Sequence, residues 1–148
     1  MIRTLFAALL LALSLPAAGQ PYLFAGAGSS EVNDQRNSTA ALAIGYRFNR
    51  HVSAEISSSD LGLGAAAVWH PPIGNSASIL AKAGMQHLGR KWAGDGSRSS
   101  LNTEDLGTKA TLGLGASYAI SKQFGIRGMV ERVGGGHSLV TIGAVLTF

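Results

Sequence analysis

The chain of 148 residues contains no cysteine, so neither a disulfide framework nor a thiolate metal site is open to it. Nowhere does an apolar run reach eighteen residues, which excludes a membrane-spanning helix. Charged residues are sparse, at 14%, and the basic ones stand singly apart from Arg90-Lys91. Without a basic stripe or an RNA-binding motif, the basic balance does not point to a nucleic-acid partner. The four histidines, at 51, 70, 87 and 137, lack metal-ligand spacing, and Asp95-Gly-Ser-Arg is too sparse for a calcium loop. No metal and no cofactor is expected. Glycine, by contrast, is abundant: 20 residues without a collagen period. Because Gly costs about 1 kcal/mol relative to Ala inside a helix, long helices are disfavoured throughout.

The first twenty residues, MIRTLFAALLLALSLPAAGQ, have a charged start at Arg3 and an apolar stretch from Leu5 to Leu15. Pro16 and the small residues Ala17, Ala18 and Gly19 follow. That stretch is too short to span a bilayer and suits the core of a secretory signal peptide, with cleavage expected after Gly19. Residues 1–19 are therefore assigned to export and residues 20–148 to one domain, small enough to be a closed barrel.

Short alternating segments bounded by turn residues recur eight times. They are Tyr22–Gly28, Thr39–Phe48, Val52–Ser58, Gly62–His70, Ala77–His87, Thr108–Ile120, Phe124–Val133 and Ser138–Phe148. Between them lie 29–37, 49–51, 59–62, 71–76, 88–107, 121–123 and 134–137, alternately longer and short. This predicts an all-β fold, an eight-stranded antiparallel up-and-down barrel, which closes and leaves no sheet edge.

The alternation also says what surrounds the barrel. In the second segment Ala40, Leu42, Ile44, Tyr46 and Phe48 fall on one face, and Ala41, Ala43, Gly45 and Arg47 on the other. The fifth sets Ile79, Ala81, Ala83 and Met85 against Ser78, Lys82, Gly84 and Gln86; the sixth sets Ala110, Leu112, Leu114, Ala116 and Tyr118 against Lys109, Thr111, Gly113, Gly115 and Ser117. Charges share a face with glycine and other small residues, as in a narrow interior. The bulky apolar face then points outward, into lipid, making this a transmembrane barrel. Eight aromatics fall toward one end of the strands: Tyr22, Phe24, Tyr46, Phe48, Trp69, Tyr118, Phe124 and Phe148. They predict an interfacial girdle on the periplasmic side, with the short turns, and place 88–107 outside the cell. Trp92 alone is available for an outer girdle.

Counting along the upward strands puts Glu55, Lys82 and Arg127 at one depth inside the barrel, with Glu131 one layer higher as a second partner for Lys82 or Arg127. Charges in a narrow interior are costly unless paired, so a hydrogen-bonded plug centred on Glu55 is expected.

The segments GYRFNRHVSAEISSSDLG, ASILAKAGMQH and TLGLGASYAISKQFGIRGMVERV, with the closing alternating strand that ends at Phe148, resemble the OmpA-like family of eight-stranded outer-membrane β-barrels. The resemblance covers nearly all of residues 20–148. It implies a Gram-negative outer-membrane protein in contact with lipid and lipopolysaccharide, and a terminal Phe148 of the sort read by the barrel-assembly machinery. It departs from the better-known members in three ways: no peptidoglycan-binding domain is expected after the barrel, the third and fourth strands are joined very tightly, and Met129 stands where the family often has an acid.

A small monomeric barrel with a structural envelope role, or a narrow porin-like one, is the leading expectation, since eight strands leave an interior that side chains fill. A lipid A-modifying enzyme is an alternative, because two eight-stranded classes are a deacylase and a palmitoyltransferase. His137-Ser138 is its one tempting pair, but neighbours on a strand point to opposite faces and no carboxylate on the last strand orients the imidazole. No catalytic residue is therefore assigned. The other alternative is an adhesin or receptor acting through 88–107, whose Arg90, Lys91 and Arg98 balance Asp95, Glu104 and Asp105; composition favours a solvated loop.

Overall fold

The structure, a computed structural model, describes residues 19–32, 34–88, 107–134 and 136–148. The predicted signal segment, Gly19 excepted, and nearly all of 88–107 lie outside the described residues. Eight long strands follow one another: β1 Gln20–Val32, β2 Gln35–Arg47, β3 Val52–Ser59, β4 Gly62–Trp69, β5 Ala77–Leu88, β6 Gly107–Ala119, β7 Phe124–Val133 and β8 His137–Thr147. A two-residue strand, Pro72–Ile73, pairs with the start of β5. Each long strand is antiparallel to the next, and β8 returns to β1 from Tyr22↔Thr147 to Glu31↔Ser138. The sheet thus closes on itself, so backbone donors and acceptors are satisfied between strands without water.

Side-chain exposure follows the alternation. Leu42, Ile56, Met85, Leu112, Leu114, Val130 and Ile142 are exposed, whereas Ala43, Glu55, Gln86, Thr111 and Thr141 on the opposite parity are buried. A soluble protein would leave no such belt of large apolar side chains uncovered. Lipid is the solvent that suits it.

From β3 onward the observed strands begin and end within a residue of the predicted ones. The first hairpin differs. Positions 29–37, expected as a loop, are mostly ladder: Ser29↔Ser38, Ser30↔Asn37, Glu31↔Arg36 and Val32↔Gln35 are paired. Arg36 Nε also donates to Ser29 Oγ across the strands (3.3 Å), and Asp34 sits at φ 63°, a left-handed conformation that Asp tolerates better than most residues. β3 pairs only with Ala41–Arg47 of β2, so Gln35–Ala40 rise past it. Beyond the lipid neither face needs to be apolar, and the alternation fades while the backbone pairing continues. As a result only the connection between Leu88 and Gly107 is long; at the same end, 33–34 and 60–61 are as short as 48–51 and 120–123 at the other.

Candidate functional site

The barrel interior is the place where polar chemistry is concentrated. Glu55 enters it from β3 because Ala54 and Ile56, on either side, take the lipid face. Lys82 enters from β5 and Arg127 from β7 by the same parity. All three are buried and meet. Lys82 Nζ lies 3.1 Å from Glu55 Oε1. Arg127 grips the same carboxylate with two donors, Nη1 to Oε2 and Nη2 to Oε1, the latter at 3.2 Å. Two parallel bonds from one guanidinium give this pair orientation as well as strength. Lys82 reaches up to Glu131 Oε1 at 2.6 Å, so of the two partners foreseen for Glu131 it is Lys82 that bonds to it. Two acids and two bases leave the layer electrically neutral.

Three further residues complete the layer that sequence reasoning had placed elsewhere or left aside. Tyr22 and Phe24, expected in the girdle, point inward and are 2% and 4% exposed. Both faces of YLFAGAGS are apolar, so bulk alone misassigns them. The usable signal is parity: they share a face with Gly26, Gly28 and Ser30, the narrow interior. Tyr22 Oη donates to Glu55 Oε2 (2.9 Å) and lies 3.2 Å from Ser53 Oγ. Its ring occupies the space over Gly45, its partner in register, where a Cβ would stand 2.1 Å from a ring carbon. Phe24 packs its ring 5.0 Å from the Arg127 guanidinium carbon, a cation–π contact. Met129 turns its sulfur to Arg127 Nε and Nη2 at 3.3 and 3.2 Å. Gly113 faces this layer from β6; a Cβ there would sit 3.0 Å from both Glu131 and Met129.

Toward the loop end, Gln86 Nε2 donates to Ser59 Oγ (3.2 Å). Above them Leu61, Leu88, Val133 and Leu139 form an apolar group with almost no exposure. This was not foreseen, because these residues sit at strand ends where the apolar-out rule gives no guidance. A second apolar group, Val68, Leu80 and Met129, lies below. The lumen is thus layered: at the loop end the apolar group lies beside buried His137, Thr111 and Ser30, the middle is charged, and the turn end is mixed. His137 is buried and Ser138 is only half-buried on the opposite parity, so the two do not form a base–nucleophile pair.

Of the residues expected in the girdle, Phe48, Trp69, Tyr118, Phe124 and Phe148 are exposed, and Tyr46 is half-buried with its ring edge-on to Phe48 at 5.3 Å. All lie at the turn end. Phe148 is held there by its backbone N–H, which donates to the Pro21 carbonyl (3.0 Å).

Comparison with known proteins fits this geometry. The N-terminal β-barrel domain of Pseudomonas aeruginosa OprF superposes with a TM-score of 0.60 at 18% identity, over 88% of this chain and 99% of that one. Neisserial surface protein A does so with 0.56 at 14% identity, over 89% and 98%. A transmembrane β-barrel designed de novo gives 0.59 at 15% identity, over 90% and 98%. At such identities these likenesses speak for the fold alone. No curated protein matches the sequence. The model of the outer membrane protein β-barrel domain, however, matches residues 5–139, and the chain belongs to that family of eight-stranded outer-membrane barrels.

Proposed function

We propose that this protein is a structural barrel of the outer membrane whose lumen is sealed, and not an open pore. The observation that carries the reading is the stacked closure of the lumen: the Glu55–Lys82–Arg127–Glu131 layer under the apolar group of Leu61, Leu88, Val133 and Leu139. An ion crossing it would have to break buried charge pairs and then pass a constriction filled by buried side chains, each a barrier of its own. Lipid and lipopolysaccharide are its partners along the apolar belt. Exposed Phe148 at the turn end is the residue offered to the barrel-assembly machinery, and a closed sheet with no free long edge suits a monomer. No geometry on the described residues favours lipid A catalysis, since His137 and Ser138 face opposite ways.

Purified protein inserted into planar bilayers should carry no sustained current in moderate salt. Stable, long-lived channel openings in the wild type would end the sealed-barrel reading.

A further inference from the structure

Below the charged layer, at the turn end, the lumen widens into a cavity of about 90 Å³. Arg47, His70 and Lys122 line it, with Arg127 at its roof. No carboxylate is among its described lining residues. Arg127 is engaged by Glu55, but neither Arg47 nor Lys122 has an ion-pair partner among the described residues. Arg47 Nε is buried with no hydrogen-bond acceptor, and its guanidinium carbon sits 5.9 Å from the Tyr22 ring centre. With the layer above neutral, the vestibule carries two surplus cations, Arg47 half-buried inside it and Lys122 exposed at its mouth.

A guanidinium with a buried, unpartnered Nε is stabilised by an anion more than by its surroundings alone, and Lys122 adds a second positive charge at the mouth. A guanidinium fork matches the oxygens of carboxylate or phosphate. One water needs about 10–15 Å³ of such space, so the cavity has room for several waters or for one small oxyanion. Lys122 belongs to the exposed turn 120–123, so the cavity can be entered from that end. We propose that this vestibule is a binding site for a small oxyanion, a phosphate or carboxylate group, held by Arg47 and Lys122.

His70, just beyond the last residue of β4, reports on the site. Its Nε2 lies 2.6 Å from Ser53 Oγ. Burial, and then the nearby cations Arg47 and Arg127, pull its pKa down to about 4 against the opposing pull of Glu55. Lys122 from the turn and Tyr22 from β1 also face this space. An anion seated on Arg47 offsets that cation's repulsion, so binding raises the pH at which His70 gains its proton.

The test is a nuclear magnetic resonance titration of the His70 ring in the full barrel folded in neutral detergent, with and without inorganic phosphate. A saturable phosphate-dependent rise in the His70 midpoint is expected, lost in Arg47→Gln, weakened in Lys122→Gln and kept in Arg36→Gln on the opposite rim. The exposed Lys122 variant keeps the test decisive if Arg47→Gln fails to fold. Repeating it in nanodiscs separates the two sources of such a group. A response in phosphatidylcholine discs that vanishes in phosphatidylglycerol discs identifies a lipid headgroup; a response in both identifies a soluble anion. No saturable change in wild type, or one that persists in both vestibule variants, would overturn the site.

Discussion

Glu55 is held by Tyr22, Lys82 and Arg127 at once. Removing its carboxylate would leave Lys82 with Glu131 but strand Arg127 in the lumen with only Met129 sulfur and the Phe24 ring. Losing one partner of a buried ion pair costs about 3–5 kcal/mol, so Glu55→Ala should unfold in urea with stability reduced by that order. Glu31→Ala, on the exposed rim of the first hairpin, should stay within about 0.5 kcal/mol of wild type. Equal unfolding midpoints for wild type and Glu55→Ala would mean that the layer contributes nothing. The four charges were legible in the sequence because counting along strands from the same end fixes depth. Tyr22, Phe24 and Met129 were not, since aromatic and thioether side chains suit lipid, interface and lumen alike, and only parity with Gly26 and Gly28 distinguishes the cases.

At the scale of elements, the strands from β3 onward were readable almost to the residue. Lipid on one side and a crowded lumen on the other impose a period of two. The loop-end parts of β1 and β2 carry no such signal, because polar residues stand on both of their faces. Their polar sequence SSEVNDQRN reads as a loop although the backbone of 29–32 and 35–37 is paired. The orientation of the barrel then rests on the aromatics at the turn end, not on connection lengths. If that end is periplasmic, Lys122→Cys in the 120–123 turn should resist a membrane-impermeant maleimide added to intact cells and react once the outer membrane is permeabilised. Labelling in intact cells would invert the topology.

For the molecule as a whole, one division governs everything else: the apolar face meets lipid and the polar face meets the lumen. β8 is the strand on which to test it, because exposed Val140, Ile142 and Leu146 alternate with interior Leu139 and Thr141. A nitroxide placed at each position from 139 to 146, one at a time, in protein reconstituted into bilayers gives its accessibility to oxygen, which partitions into lipid, and to a water-soluble nickel chelate. The account predicts oxygen accessibility with a period of two, high at 140, 142 and 146, with the nickel chelate excluded from 142, where the side chain is 68% exposed and mid-strand. High nickel accessibility at 142, or an oxygen maximum at 139 and 141 instead, would contradict it.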